Sequence, residues 1–423
     1  MHSPNGSRAA FPAARRNAMR NAMRNVTHAV LLVGGVLIAA CSDNAPPTAP
    51  VAASRATPAA SDRQTAAERW MALTRQIVGR REPTPGGTAR AFALVAVAQY
   101  DAIIAAQDAK TRGLHPSEAG AAVSAAARVL AALYPVESAT IAGQIAADEA
   151  YFPTLPSERD ADFGSGMTVG NGIAAAVLAR AATDNSTAVW TGTVPVGAGY
   201  WYSAPPPALP VAPLWGTVRP WLLTSGSQFR PAPPPAFGSP EFLTALAEVR
   251  HDSDTRTAQQ LAIAQFWAFG LGAGGPMGYF TDLATRFAMH EHMNEEQSAR
   301  VFATMHMAMM DASIGCWDAK YAYWYIRPFQ ADPAIATPVG RPNFPSYPSA
   351  HSCFSAAAVG VLAGIFPAQA DSLNAMVVEA GDARIFAGLH YRFDVLAGQQ
   401  LGASVAALAL EKMPHGHDQI PLD

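Results

Sequence analysis

The 423-residue chain is poor in cysteine, with three, and poor in charge, with Asp, Glu, Lys and Arg making up 14% of it at a formal net charge of -3. So few cysteines exclude a scaffold built on disulfides. The small acidic excess gives no electrostatic footprint for nucleic acid, so any cations that matter are gathered locally. Alternating runs of β-branched residues are also few, which argues against a sheet. Long apolar runs are scarce. The pronounced one, Ala29 to Ala40, is shorter than the ~20 residues that cross a bilayer as a helix, and no other stretch reads as long and apolar enough. What the chain does have is 50% hydrophobic residues, enough for a sizeable core and too many for a disordered chain.

The N-terminus reads as a targeting segment. Arg15, Arg16, Arg20 and Arg24 precede the apolar run, which ends in Ile38-Ala39-Ala40-Cys41. Residues 1–40 are expected to be a signal peptide. The ending resembles a bacterial lipobox, which implies cleavage before Cys41 and acylation of its thiol. A plain signal peptide that happens to contain a cysteine is the alternative, and Met19 or Met23 is an alternative start. The expected location is therefore the bacterial cell envelope, on the periplasmic or outer-membrane face, with a lipid anchor as the sole membrane contact. Residues 41–62 are rich in Ala, Pro, Ser and Thr and read as a flexible tether.

From about Thr65 apolar residues recur three and four apart, the helical period. An internal repeat organises this part. Residues 91–110 align without gaps on 301–320, and both end in Asp-Ala-Lys, at Lys110 and Lys320. Ser124 to Pro135 resembles Ser355 to Pro367 with one residue inserted, and Gly172 to Ala182 resembles the helix from Gly398 to Lys412. The expected fold is all-α, two related helical bundles packed together. The bundles would occupy residues 63–200 and 241–415, joined by a Pro- and Trp-rich connector, 201–240, whose Trp201, Trp215 and Trp221 argue for order. Gly270 to Gly278 is not read as a dinucleotide loop, because no strand precedes it.

Three segments of the second half carry chemistry. In the first, Lys320 and Arg327 stand seven apart, which would place them on one face of a helix closed by Pro328. Among apolar and aromatic neighbours such cations need an anion, and a surface ion-pair helix is the alternative. In the second, Pro345-Ser-Tyr-Pro348-Ser349-Ala350-His351 runs into an Ala-rich helix. That is a helix N-terminus, where free N–H groups bind anions. His351 in the first turn is placed to move a proton. In the third, Arg384 and His390 are six apart and would point to different faces unless Gly388 breaks the helix. Asp394, one turn after His390, would orient its imidazole or cap a helix.

Together the three resemble the signature shared by vanadium-dependent haloperoxidases, bacterial acid phosphatases and membrane lipid phosphatases (the PAP2 superfamily): Lys-x6-Arg-Pro, then Pro-Ser-Gly-His, then Ser-Arg-x5-His-x3-Asp. The resemblance implies a vanadium chloroperoxidase-like fold and a site for vanadate, or for phosphate in the same place. Lys320, Arg327 and Arg384 would supply charge, Ser349 and the Ala350 N–H neutral donors, and His390 the axial nitrogen. His390 would bond the metal in a haloperoxidase or become phosphohistidine in a phosphatase. His351 would be the acid/base, and Lys320 would polarise bound peroxide. Two positions depart from the family: Ala350 stands where it has Gly, which would strain any left-handed backbone there, and Ala383 stands where it has Ser.

The first copy keeps Lys110 and Pro116-Ser117 but has no Arg-Pro, no following His and no Arg-x5-His. The active site is therefore expected in the second copy. Length and duplication lean toward a haloperoxidase, whose substrates would be hydrogen peroxide and halide. So do Trp317 and Phe344, at both of which the chain resembles fungal chloroperoxidases and which would belong to the substrate pocket, with core packing as the alternative. A phosphomonoesterase is the second reading and a non-catalytic oxyanion-binding envelope lipoprotein the third. Cys316 and Cys353 would be a disulfide or two buried thiols. His290-Glu-His292 and His415-Gly-His417 lack a full ligand set and read as surface.

Overall fold

The computed structural model describes residues 64–82, 84–203, 208–269, 274–413 and 418–422. The signal peptide, Cys41, the tether and His415-Gly-His417 lie outside these. Thirteen α-helices and no strand occur among the described residues, so the all-α expectation holds. In the first half they are α1 (Ala66–Arg81), α2 (Pro85–Thr111), α3 (Glu118–Leu133), α4 (Ser138–Tyr151) and α5 (Phe163–Ala182). The second half has α6 (Pro240–Thr255), α7 (Ala258–Phe266), α8 (Gly275–His290), α9 (Glu295–Tyr323), the single turn α10 (Pro328–Ala331), α11 (Ala350–Ile365), α12 (Ala370–Phe386) and α13 (Arg392–Glu411).

The two longest helices, α2 and α9, are the repeat pair and pack against each other at the centre. Both begin with an explicit start signal. Thr84 caps α2, with Pro85 in its first turn, and Asn294 forms a capping box with Gln297 at α9. Phe92 of α2 stacks on His306 of α9 at 4.9 Å. The Glu295 carboxylate also accepts the N–H groups of Ala66 and Ala67, tying the start of α9 to the start of α1. One apolar cluster runs through both halves. By length and composition α2 and α13 are each apolar enough to cross a membrane, contrary to the reading of the sequence, but 89% of the α2 window is buried inside the protein. An apolar core helix and a spanning helix share that signature.

The repeat is more regular than sequence matching showed. Helices α3 and α11, and the 3-10 turns Pro135–Glu137 and Pro367–Gln369, have equal bounds 232 residues apart, as do the starts of α4 and α12. No residue is inserted between the copies there. Ala-rich segments match at several registers, which is why sequence similarity placed a gap.

The Pro- and Trp-rich segment is laid on the second half by its polar groups. The Tyr323, Tyr325 and Tyr347 hydroxyls donate to the carbonyls of Pro231, Pro235 and Ala232. Trp215 Nε1 donates to Ser313, and the N–H groups of Trp221, Leu222 and Leu223 all end on the Asp311 carboxylate.

Candidate functional site

The site lies where α9, the segment after it, the start of α11 and the α12–α13 turn converge. Helix α9 stops at Tyr323 because Trp324 turns left-handed, at φ 50°. Tyr325 to Arg327 then runs extended, with the Ile326 N–H on Gly199 O. Lys320 and Arg327 therefore do not share a helix face as their spacing predicted. Each still reaches the site, one from the helix and one from the extended segment.

Arg384 and His390 are brought together as expected. Helix α12 ends in a Schellman turn, with Gly388 N–H on Ile385 O and Leu389 N–H on Arg384 O. Gly388 sits at φ 71°, and a Cβ there would lie 2.8 Å from Ile335 Cγ2. The turn redirects the chain so that His390 faces Arg327 while Arg384 reaches in from the last helical turn.

His390 is almost fully buried and held from both sides. Its Nδ1 is 2.9 Å from Asp394 Oδ2, and its Nε2 is 3.0 Å from Arg327 Nη1. A carboxylate on one nitrogen and a guanidinium donor on the other assign the tautomer: Nδ1 carries the proton and Nε2 a lone pair aimed into the site. Asp394 is itself fixed, its Oδ2 also accepting from the Ser346 hydroxyl at 2.5 Å and from the Tyr391 N–H. Burial pushes Asp394 up to about 6. It pushes His390 well below its ordinary value, with Arg327 adding to the effect.

Ser349 caps α11, so the helix N-terminus points into the site. Ala350 is the first helical residue and is not left-handed, so the Ala-for-Gly departure carries no backbone strain. His351 follows, its Nε2 on the Trp267 carbonyl at 2.8 Å. Arg384 Nη1 approaches the same carbonyl at 3.4 Å. Burial, then the Arg384 charge, holds His351 well below its ordinary value.

The charge balance is unusual for an interior. Lys320, Arg327 and Arg384 are at most 4% exposed, against a single buried carboxylate, Asp394, set behind His390. Burial lowers Lys320 to about 8, Arg327 to about 9 and Arg384 to about 10. Arg327 Nη2 and Arg384 Nε are buried donors with no partner among the described residues. Such groups are costly unless an anion meets them. The donor set therefore fits a tetrahedral or trigonal-bipyramidal oxyanion, phosphate or vanadate alike.

Residues 300–415 match the PAP2 superfamily. That segment is a PAP2-superfamily domain. It spans all the expected oxyanion residues. The whole fold is similar to a bacterial vanadium-dependent iodoperoxidase, at 22% identity and a TM-score of 0.72, covering 82% of this chain and 96% of that one. It is also similar to a bacterial vanadium-dependent chloroperoxidase in its apo form (15%, TM-score 0.61, 76% and 92%) and its holo form (14%, TM-score 0.61, 78% and 92%).

Two placements in the PAP2-superfamily site, those of Lys320 and Trp317, differ from the sequence reading. Lys320 Nζ donates to three carbonyls, Pro345 at 3.0 Å, Ser346 at 2.8 Å and Pro348 at 2.5 Å. Its three N–H groups are thus spent on the loop that precedes Ser349. In this arrangement it lends charge and braces the loop and has no N–H left for a bound group. Trp317 is wholly buried, stacked on Phe354 and tilted against Phe344, so it backs the site without lining it. Phe344 does line the cavity that opens onto His351. Cys316 and Cys353 are buried free thiols hydrogen-bonded to each other, so of the two alternatives the structure has the unbonded pair.

Sequence reasoning missed two contributors. Ser346, inside the Pro345–Pro348 run, anchors Asp394 by its hydroxyl and Lys320 by its carbonyl. The Trp267 carbonyl joins His351 to Arg384. The hydroxyl was visible in the motif, but nothing in a sequence marks a main-chain carbonyl at the end of a distant helix.

Proposed function

We propose that the protein is a vanadate-dependent haloperoxidase that oxidises halide with hydrogen peroxide. The observation that carries this reading is a buried His390 whose Nδ1 proton is fixed by Asp394 and whose Nε2 meets Arg327 Nη1, with Arg327 Nη2 and Arg384 Nε left as buried donors without a partner among the described residues. Arg327, Arg384, Ser349 and the α11 N-terminus would hold vanadate, with His390 as its protein ligand. When bound, vanadate supplies a Lewis-acidic centre that activates peroxide toward halide. The chain's own residues do the rest. Asp394 keeps His390 in the tautomer that presents Nε2. His351, neutral because it is buried beside Arg384, accepts the proton peroxide sheds and returns it to the departing oxygen. Lys320 keeps the Pro345–Pro348 loop, and with it Ser349, in place. The similarity to whole vanadium-dependent peroxidases, over both halves of the fold, supports this reading.

Phosphomonoester hydrolysis is the second reading, favoured by the PAP2 match over residues 300–415. There His390 Nε2 would attack phosphorus, with His351 protonating the leaving alcohol. Export and a lipid on Cys41 complete the proposal, resting on the basic and apolar N-terminal pattern alone. The deciding assay uses purified protein with and without orthovanadate. Peroxide-dependent halide oxidation that requires vanadate and disappears in His390→Ala establishes the first reading. Phosphatase activity that vanadate inhibits, with no halide oxidation, replaces it by the second.

A further inference from the structure

A cavity of about 260 Å³ is lined in part by His351. Its walls come from both halves of the protein. The second half gives Phe269, Met277, Phe344 and Phe354, and Phe269 stacks on the His351 ring at 6.1 Å and 12°. The first half gives the α1–α2 junction, with the Glu82 carboxylate and the Thr84 and Thr88 side chains. Glu82 Oε1 accepts the Thr84 N–H and hydroxyl, which leaves Oε2 without a protein partner among the described residues.

This lining does not suit the ions that the proposed reaction consumes. A halide would shed hydration against three phenylalanine rings and would be repelled by Glu82. Peroxide needs only a small fraction of the volume. The space falls below the ~300 Å³ at which pockets begin to hold drug-sized ligands, so it takes one substituted ring. Phenylalanine edges and faces receive such a ring well, and a carboxylate acceptor in the lining calls for a neutral hydroxyl donor. Resting on the haloperoxidase reading, we propose that the cavity is an acceptor subsite for a small phenol. Its hydroxyl would donate to Glu82, its ring would pack on Phe344 and Phe354, and its free carbons would face His351.

The coupled step balances. Halide, peroxide and one proton give hypohalous acid and water. The phenol ring then takes the halogen from hypohalous acid, forming a carbon–halogen bond, and the ring proton leaves with the released hydroxide as water.

The test begins with vanadate-free protein and 4-methylphenol in a calorimeter. Saturable binding is expected, weakened at least tenfold in Ala268→Phe, which fills the cavity, with folding verified by circular dichroism. The anion 4-methylbenzoate is expected not to bind wild type and to bind Glu82→Gln. In the vanadate-loaded enzyme unsubstituted phenol, whose hydroxyl on Glu82 would turn C4 toward His351, should give a higher para-to-ortho ratio of halophenols than hypohalous acid gives in buffer, and Ala268→Phe should return it to the buffer ratio. No saturable phenol binding, or binding unchanged in Ala268→Phe, overturns the subsite. An isomer ratio equal to that in buffer does so too. Absence of all halide oxidation refutes the underlying reading, and the calorimetric result still decides whether the subsite exists.

Discussion

Residues 117–182 and 349–411 are two versions of one structure with different chemistry. In the first the Ser117 N–H meets Asp162 O at 3.0 Å, and in the second the Ser349 N–H meets Asp394 O at 2.9 Å. Gly166 and Gly170 let α5 close on α3, and Gly398 and Gly402, 232 residues later, let α13 close on α11, since a Cβ at any of the four would collide with backbone. At this register His390 corresponds to Glu158, His351 to Ala119 and Arg384 to Phe152. The Glu158 carboxylate sits on the N-terminus of α3, accepting from the Ser117 hydroxyl and the Ala119 N–H. The first copy thus carries its own anion where the second copy receives one. Lys110 is seven residues before Ser117, whereas Lys320 is twenty-nine before Ser349. The extra segment brings Arg327, Phe344 and Ser346. The comparison teaches that the helix start, its serine cap and its glycine-lined neighbour form the scaffold. A handful of side chains plus one insertion turn it into a site.

The largest expected effect separates the two corresponding residues. His390→Ala should lower turnover by about 10³-fold or more, as for loss of a group that acts as ligand or nucleophile. Glu158→Ala should leave kcat within about twofold. If Glu158→Ala also abolished activity, the division into scaffold copy and working copy would fail.

Next come the two aspartates. Asp394→Asn keeps the shape but no longer enforces the His390 tautomer, and about 10–100-fold loss of activity or vanadate affinity is expected. Asp162 instead caps α5 through the Ser165 N–H. Its change to Ala should cost about 1 kcal/mol of stability with activity intact. Steady-state kinetics and denaturant melts on both variants check this pair.

A smaller effect concerns pH. Sulfate keeps its charge between pH 8 and pH 5, so any slope in its binding comes from the protein. His351 is held neutral by burial and by Arg384. A bound anion opposes both and raises its affinity for a proton, so the complex binds more protons than the free site. Sulfate affinity should therefore rise several-fold as pH falls through the mildly acidic range, with proton uptake visible in buffers of different ionisation enthalpy. Lys320, lowered to about 8, and Asp394, raised to about 6, titrate in the same window, so the profile is repeated on His351→Gln, and a slope that this change leaves intact would remove His351 from the anion's surroundings.

The sequence made the working copy legible and the silent copy obscure, for physical reasons. Lys320, Arg327, Ser349, His351, Arg384, His390 and Asp394 are chemically conspicuous, and the structure gathers them at one buried place. The helix end at Trp324 was hidden, because aromatic residues tolerate a helix and it is the pairing of Trp201 N–H on Trp324 O and of Ile326 N–H on Gly199 O that draws the chain out of one. Glu158 was hidden because its equivalence to His390 shows neither identity nor motif, only an equal count from a shared serine cap. Lys320 was misread in role. Spacing shows that a cation reaches a site, but not that main-chain carbonyls have already taken its protons.

The smallest effect tests the Glu158 interpretation most directly. Removing an acceptor from a helix N-terminus costs about 1 kcal/mol, so Glu158→Ala should lower the melting temperature by ~2 °C. If Glu158 merely packs, that loss will not respond to added salt of any kind. If it stands in for an anion, the variant exposes the Ser117 hydroxyl and the Ala119 N–H, and sulfate should restore the loss while chloride at equal ionic strength should not. Glu158→Gln keeps an oxygen acceptor in place and should lose less and respond less. Adding Ser117→Ala to Glu158→Ala should remove the sulfate response, because one of the two donors that held the carboxylate is then gone. Equal restoration by sulfate and chloride would mean screening of the surrounding charges, Lys110 and Glu118 among them, and would end the correspondence between Glu158 and the anion of the second copy.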